Sequence, residues 1–378
     1  MTFVLTEDQA MLRDTAQSFA KDAVPVSHLR DLRDTGAGGV DATTRAKLAE
    51  LGFYGVLAPE EQGGSDFGMV GMGQILEAMG QTLAATDLIA TGVIAASALS
   101  LAGSEAQKSD WLAPIAAGQV AAALALDEGA HHAPTAVATE AERDGQGYTL
   151  SGEKPFVPGG HFADLFLVVA RTFGAPGERH GLTVFLVAKD APGLSIQALN
   201  TVDAHGAARL SLEGVHVDNG LILGDVDQAL DLLDPVLDRA RIAQAAETLG
   251  TAQAAFDMTL EYLNTRRQFG QLIGSFQALQ HRAAKMFTEL EMTRSCVAAA
   301  LSAVDRGDAS VAELASLAKA RTADLIHLVS NETVQMHGGI GMTDDHDAGL
   351  FLKRARVQEA LYGSASFHRD RYAALQGY

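Results

Sequence analysis

The stretch TRRQFGQLIGSFQALQHRAAKM, residues 265–286, separates two long helical patterns that decide the fold. The first pattern, residues 226–266, has apolar side chains at helical spacing and ends at the start of this stretch. The second, residues 276–307, begins within the stretch and repeats that spacing. Two further helical patterns extend to the end of the chain. Long helices with apolar stripes are typical of a bundle, and their surplus apolar surface indicates oligomerisation. Residues 226–378 are therefore predicted to form a C-terminal four-helix bundle.

The residues that precede this bundle change pattern near residue 119. Five short segments between residues 119 and 225 are rich in β-branched or alternating apolar residues and are bounded by Gly and Asp, as antiparallel strands are. Residues 1–118 are predicted to be helical, because Thr6 and Gln9 can form a capping box and Gly52 can end a second helix. The sequence thus predicts an α+β multi-domain protein. Its regions are an N-terminal α-helical domain (1–118), a middle antiparallel β-barrel or sandwich (119–225) and the bundle (226–378).

The composition narrows the function classes. The chain has 378 residues and a formal net charge of -19, which argues against nucleic-acid binding. Its one cysteine, Cys296, cannot form an internal disulfide, so a reducing compartment is favoured. The N-terminus lacks a signal-peptide pattern, and no apolar run is long enough for a membrane span. A cytoplasmic location and no membrane association are therefore expected. No metal site is expected either, since His131 and His132 have no third ligand nearby in sequence.

Four segments in order along the chain carry a family resemblance. They are LTEDQAMLRDTAQSFA (5–20), AELGFYGVLAPEEQGG (49–64), the stretch 265–286 and QMHGGIGM (335–342). Together they resemble the acyl-CoA dehydrogenases over essentially the whole chain. The resemblance implies the acyl-CoA dehydrogenase fold, FAD as cofactor, an acyl-CoA substrate and an electron-transfer flavoprotein as electron acceptor. In such enzymes a base takes the proton α to the thioester while a hydride leaves the β carbon for the flavin.

The resemblance also implies that FAD is shared across a dimer interface, and the half-site offered to a neighbour matches well. Arg266 matches the arginine that meets the pyrophosphate, which is a charge-assisted contact. Glycines in the turn at 338–341 would let the backbone approach the cofactor. The matching residues are Arg266, Phe269, Gln277, Gln335, Gly338, Gly339, Gly341 and Ser364.

The half-site that holds the flavin ring departs from the family pattern. Asp127, in LDEGAHHAP (126–134), replaces a threonine that donates to the flavin pyrimidine. Phe156 replaces the tryptophan that covers the flavin, and Pro158 replaces a threonine near flavin N5. Proline has neither a hydroxyl nor a backbone donor. These changes are interpreted as losses; the alternative is a diverged pocket that uses other groups.

The catalytic base is absent from both positions that the family uses. Tyr362 stands before Gly363, where the resemblance implies a glutamate, and Ala240 precedes Arg241 at the other position. Tyrosine, with an ordinary pKa near 10, is a poor base at neutral pH. Glu247 lies on the same helix face as Ala240, seven residues on, and is the candidate base; a paired or interfacial glutamate is the alternative. Arg241 is predicted to line the substrate pocket.

Three functions remain open. The chain could be the base-lacking subunit of an α2β2 acyl-CoA dehydrogenase that completes the FAD site of a Glu-bearing partner, as in bacterial sterol side-chain degradation. It could be a self-sufficient homotetramer that uses Glu247. It could also be a flavin-free structural or CoA-binding protein on the same fold. Small residues between 90 and 98 would suit a bulky acyl chain or close helix packing equally well.

Overall fold

The structure of the protein is a computed structural model that describes residues 4–36 and 38–378. The chain forms two compact units, each assembled from separate stretches of sequence. The first unit comprises the stretch ending at Asp31, Met69–Ala84 and Arg241–Tyr378; the second comprises Leu32–Gly68 and Ala85–Ala240. Within the described ranges, no helix combines the length and apolarity that crossing a membrane requires.

Helices occupy both ends of the chain and strands occupy the middle. The α-helices are α1 Glu7–Ala23, α2 Val26–Asp34, α3 Ala42–Glu50, α4 Gly68–Gln81, α5 Ala96–Ala102, α6 Glu105–Gln107, α7 Ala113–Ala116, α8 Ala229–Thr265, α9 Gln277–Asp305, α10 Val311–His337, α11 Ala348–Ala360 and α12 Ala365–Leu375. The strands are β1 Ala122–Ala125, β2 Glu140–Asp144, β3 Gly147–Pro158, β4 Leu165–Arg171, β5 Leu182–Ala188, β6 Leu194–Leu199, β7 Ala207–Asp218, β8 Ile222–Leu223, β9 Arg267–Gln268 and β10 Gln271–Leu272.

The predicted local signals at the helix ends are present. Thr6 Oγ1 accepts the amide of Gln9 at 3.1 Å and the Gln9 side chain accepts the amide of Thr6 at 3.1 Å, so the capping box is confirmed. Gly52 follows α3 with φ 71°, in the left-handed conformation that ends many helices. The apolar run from residue 88 is helical, but Leu88–Ala95 forms a π-helix before α5, a rare form that is frequent at functional sites.

The second unit is built around an eight-stranded sheet. The strand order is β6-β7-β3-β2-β4-β5-β8, with β1 beside β4. Most pairs are antiparallel, as predicted, but β1 runs parallel to β4 and β2 meets β4 in parallel at Glu140 and Arg171. Strand β2, EAERD, was not predicted because four of its five side chains are charged. The buried core of the sheet includes Leu150, Phe166, Val168, Phe185, Leu210 and Val215.

The first unit contains the bundle, in which α9, α11 and α12 contact α10. The expected interruption at Gly363 separates α11 from α12, so that three helices follow α9. Helices α4 and α8 approach each other closely: a Cβ on Gly250 would lie 1.9 Å from the Glu77 carbonyl oxygen, and one on Gly80 would lie 2.0 Å from the Glu247 carbonyl oxygen. Only glycine fits at this crossing.

Candidate functional site

The segment after α8 forms an exposed hairpin of β9 and β10. Its turn places Phe269 at φ 53°, and that side chain is 90% exposed. The Phe269 ring lies edge to face with Phe276, with ring centroids 6.1 Å apart. Arg266, at the base of the hairpin, is also exposed. An aromatic side chain and a guanidinium presented together to solvent suit a ligand or a protein outside this chain.

The Gly-rich turn begins where α10 ends. Gly338 has φ 64°, a conformation that favours glycine, and Gln335 one turn earlier is exposed. A Cβ added at Gly338 or Gly339 would meet no atom within 4 Å, so the backbone there is open to an approaching ligand. At Gly341, in contrast, a Cβ would lie 2.9 Å from a main-chain oxygen of α10. The first two glycines thus leave room outside the chain, and the third permits close packing inside it.

A cluster of three rings links the end of α8 to the Gly-rich turn. The rings of Tyr262 in α8 and His337 in α10 have centroids 4.4 Å apart; the His346 ring lies 4.4 Å from His337 and 6.5 Å, edge to face, from Tyr262. His337 Nδ1 donates to the Thr333 carbonyl at 2.7 Å, and burial lowers the pKa of His337. Since Tyr262 is one turn before Arg266 and His337 directly precedes Gly338, the structure brings these two sequence motifs together.

The outward half-site fits the phosphate and adenosine portion of FAD. It offers an exposed guanidinium, accessible backbone and an exposed aromatic ring, which are groups that bind phosphate and a nucleobase. Gln277 is the exposed first residue of α9, and Ser364 is the exposed N-cap residue of α12. The predicted cofactor residues thus lie on the surface of the first unit, apart from Gly341, which is buried.

Three buried side chains hold the segment between α11 and α12. Tyr362 has φ 57°, and its carbonyl accepts hydrogen bonds from His368 Nε2 at 3.0 Å and Arg241 Nε at 3.4 Å. Lys319 Nζ donates to the carbonyl of Gly363 at 3.2 Å. Lys319, His368 and Arg241, here called the donor clamp, therefore fix the backbone at the position where the family base was expected.

Electrostatics decide which of these groups carry protons. Burial, reinforced by the positive charges of Arg241 and Lys319, lowers the pKa of His368 to about 2. The imidazole is therefore neutral, and its Nε2–H is the donor to the Tyr362 carbonyl. Burial also lowers the pKa of Lys319 to about 7, against the opposing effect of Glu359. The donor clamp therefore positions the backbone and contains no carboxylate that could act as the base.

Glu247 is engaged inside the bundle. Its carboxylate forms a buried ion pair with Arg354 of α11 and accepts Gln358 Nε2 at 2.9 Å. Both donors bind the same carboxylate oxygen, Oε1, and occupy its lone pairs. This geometry favours the paired glutamate over the candidate base. Ala240 is fully buried and apolar, and Arg241 is buried in the donor clamp, so a place for Arg241 in the substrate pocket stays a prediction.

The residues predicted for the flavin-ring half-site lie in the second unit, where Asp127 is bonded within its own turn. Asp127 Oδ2 is 2.8 Å from His132 Nδ1, and its other carboxylate oxygen accepts the amide of Ala133 at 3.0 Å. The carboxylate that replaces the expected threonine therefore organises its own turn. Phe156 is partly exposed, and Pro158 ends β3 opposite Ala207. Neither Asp127 as a carboxylate nor Pro158 can donate a hydrogen bond to a flavin.

The scaffold around this turn is nevertheless well anchored. Glu128 pairs with buried Lys154 at 2.6 Å and accepts both the amide and the hydroxyl of Thr139, at 3.0 and 2.6 Å. Arg171 donates to five main-chain carbonyls, among them those of Thr135 and Val137. Side-chain hydrogen bonds therefore hold the loop 127–139 at both ends, although its sequence differs from the family pattern.

Sequence reasoning missed the residues whose partners are distant along the chain. Lys319 was not singled out, although a lysine on the apolar face of ASLAKA (315–320) signals a buried ammonium that needs acceptors. The His132 pairing with Asp127 could have been suspected from five-residue spacing within a turn. No comparable signal in the sequence joins Glu247 to Arg354, which lie 107 positions apart.

Comparison with known proteins gives matches over nearly the whole chain. Models of the acyl-CoA dehydrogenase N-terminal, middle and C-terminal domains match residues 6–119, 124–218 and 231–375. A probable acyl-CoA dehydrogenase of Bacillus subtilis, YngJ, is 31% identical over 375 residues, covering 98% of each chain.

Two solved structures extend these matches. The Tcur3481–Tcur3483 steroid ACAD is 32% identical with a TM-score of 0.88 and covers 98% of both chains. The ChsE4–ChsE5 complex of Mycobacterium tuberculosis is 29% identical with a TM-score of 0.90, covering 100% of this chain and 99% of that chain.

Proposed function

Because the chain belongs to the acyl-CoA dehydrogenase family, we propose that it is the base-lacking subunit of a heteromeric acyl-CoA dehydrogenase. In this role it completes the FAD site of a Glu-bearing partner in an α2β2 assembly. The reaction converts an acyl-CoA thioester to its α,β-unsaturated product. Bound FAD would supply the acceptor for the hydride of the β carbon, and the carboxylate of the partner would take the proton of the α carbon.

The observation that carries the proposal is the side chain at residue 362. The donor clamp holds the backbone there, yet the side chain is a phenol instead of a carboxylate. The alternative position, Ala240, is apolar, and the nearest candidate, Glu247, already binds Arg354. These contacts support a chain that does not itself remove the α proton.

The two half-sites support a division of labour between subunits. Arg266, the open backbone at Gly338 and the exposed ring of Phe269 would hold the pyrophosphate and adenosine of a flavin seated in a partner. Asp127 and Pro158 lack the donors that would hold a flavin ring in this chain's own second unit. The chain therefore contributes cofactor contacts outward and keeps few for itself.

Similar proteins support a heteromeric assembly and a bulky substrate. The ChsE4–ChsE5 structure is a complex, and the Tcur3481–Tcur3483 protein is a steroid ACAD. By analogy, the proposed substrate class is a sterol side-chain or other bulky acyl-CoA, and the proposed electron acceptor is an electron-transfer flavoprotein. Ala90 and Gly92 in the π-helix are small and buried, which suits either such a group or close packing.

The flavin absorbance of the purified chain tests the proposal. We expect the chain alone to be colourless or substoichiometric in FAD and to turn over no CoA thioester with an artificial electron acceptor. Co-expression with a Glu-bearing homologue should restore both. A yellow, active chain without any partner would establish the self-sufficient enzyme. In that case Glu247→Gln should lower turnover by about 10²–10⁴-fold with FAD still bound, as removal of a general base does.

A further inference from the structure

We propose that Lys319 is a positioning residue for the cofactor, holding residues 361–364 so that Ser364 meets the FAD of the partner subunit. This role rests on the proposed function and adds to it a buried residue distant from the cofactor-binding motifs in sequence. Lys319 acts through the backbone and touches neither substrate nor cofactor itself.

The contacts of Lys319 connect the end of one helix to the start of the next. Its Nζ donates to the carbonyls of Gln358 at 2.9 Å and Glu359 at 3.4 Å, which belong to the last turn of α11. The same nitrogen donates to the carbonyl of Gly363 at 3.2 Å, directly before Ser364. One ammonium group therefore sets the distance between the end of α11 and the N-cap residue of α12.

The burial of Lys319 indicates that its hydrogen bonds to these carbonyls serve to fix the backbone. The residue is 1% exposed, and no salt bridge to it exists among the residues that the structure describes. Carbonyls at a helix end are ordinarily satisfied by water or by a glycine turn, without the desolvation of an ammonium group. A buried lysine that serves three carbonyls fixes their mutual geometry more rigidly than solvent could.

The contacts of the donor clamp suit the positioning of Ser364, which is expected near the cofactor, better than the positioning of a base at residue 362. All of its contacts with residues 358–363 described above reach main-chain oxygens, and Tyr362 supplies no carboxylate for the clamp to aim. Two positions later, Ser364 is exposed and carries a hydroxyl at the N-terminus of α12, where its Oγ also accepts the amide of Phe367 at 3.3 Å. The residue that gains from a fixed backbone is therefore Ser364.

Hydrogen exchange and flavin affinity test the two halves of this inference. The sample is the assembly that is recovered with an affinity-tagged chain, carrying wild-type Lys319, Lys319→Met or Lys319→Gln. We expect amides of residues 361–368 to exchange about tenfold faster in Lys319→Met, with α9 unchanged as the internal reference, and an intermediate effect in Lys319→Gln. The dissociation constant for added FAD, read from flavin fluorescence, should rise about tenfold, as for a lost hydrogen bond.

A double-mutant cycle identifies the residue through which Lys319 acts. Ser364→Ala should weaken FAD binding, and adding Lys319→Met to it should weaken binding by less than about twofold further. Multiplying effects would overturn the inference, as would unchanged exchange at 361–368 or unchanged FAD affinity in Lys319→Met. Lys353→Met in α11 is the control for loss of a lysine and should change neither readout. A wild-type assembly without flavin would refute the proposed function instead, and the exchange data would still report on the clamp.

Discussion

Tyr362 has a left-handed backbone conformation that residues other than glycine rarely adopt. That conformation costs roughly 1–2 kcal/mol for an L-residue with a Cβ. The hydrogen bonds from His368 and Arg241 to the Tyr362 carbonyl, and from Lys319 to the Gly363 carbonyl, offset this cost. Because they all act on main-chain atoms, the geometry of the segment is independent of the side chain that it displays.

Replacing Tyr362 with phenylalanine tests whether the phenol takes part in the reaction. We expect Tyr362→Phe to leave the turnover of the complete assembly within about twofold of wild type, because removal of a working acid or base costs about 10²–10⁴-fold. The measurement is steady-state oxidation of a panel of acyl-CoAs with an artificial electron acceptor. A loss of a hundredfold would show that the hydroxyl group is catalytic in this chain.

Lys319 should make the stability of the protein depend on pH in a defined direction. Its pKa is about 7 in the folded protein, lowered by burial and by Arg241 against the attraction of Glu359, and about 10.4 when unfolded. Between these values unfolding takes up a proton, so the contribution of Lys319 to the free energy of unfolding is lowest below pH 7 and rises above it.

The comparison that isolates this effect is wild type against Lys319→Met. The difference between their free energies of unfolding should shift in favour of wild type by up to about 1.4 kcal/mol per pH unit between pH 7 and pH 9. Urea denaturation at several pH values measures it, with Lys353→Met as the control for removing a lysine elsewhere. A difference that stays constant with pH would mean that Lys319 titrates as it does in water.

At the scale of elements, the β9–β10 hairpin should bind cofactor through one of its two adjacent arginines. Arg266→Ala should lower the FAD affinity of the assembly by roughly tenfold or more, because a charge-assisted contact to the pyrophosphate is lost. Arg267→Ala removes the same charge one residue later and serves as the matched control. Equal flavin affinity in the two variants would show that Arg266 is only a solvated charge.

The crossing of α4 and α8 depends on the absence of a side chain at Gly250. A Cβ there would lie 1.9 Å from the Glu77 carbonyl oxygen, so the helices must move apart. Gly250→Ala should destabilise the protein by about 1–3 kcal/mol or more, measured by urea denaturation. Gly349→Ala in α11 is the control, since its Cβ would meet nothing within 4 Å, and it should be neutral or slightly stabilising. Comparable losses in both variants would contradict the packing argument.

The sequence predicted helices where the apolar periodicity extends over many turns, but it did not predict which strands pair. The periodic apolar residues of α8 to α10 span many turns, and the capping box at Thr6 is a local device, so both could be found in the sequence. The parallel pairing of β1 with β4 depends on residues about forty positions apart. The π-helix at Leu88–Ala95 has the same composition as an ordinary apolar helix, and only its packing shows the difference.

At the scale of the whole molecule, we expect the changes in either unit to be enough by themselves to prevent turnover by the isolated chain. Tyr362→Glu restores a carboxylate at one position but leaves Asp127 and Pro158 without donors for a flavin. We therefore expect no turnover from the isolated Tyr362→Glu chain, assayed with added FAD and acyl-CoA. Activity above that of wild type would show that the second unit can still hold a flavin. In the complete assembly the same variant should leave the number of active sites, counted by flavin content, unchanged.

The compact units cut across the linear order that the sequence suggested. Helix α8 runs through residues 240 and 241, where the second unit ends and the first resumes, and Met69–Ala84 belongs with the bundle. The candidate site was partly readable because its motifs are contiguous stretches. The donor clamp was not, because Arg241, Lys319 and His368 come from three helices and meet only in the folded chain.

Hydrogen bonds from the donor clamp to carbonyl oxygens do not depend on which side chain the held residue carries. After a gene duplication, one copy could exchange a base at position 362 for another side chain and still fold. The other copy would keep the chemistry, and selection on the first would pass to its cofactor contacts. Specialisation of two chains from one self-sufficient ancestor thus needs no unfolded intermediate.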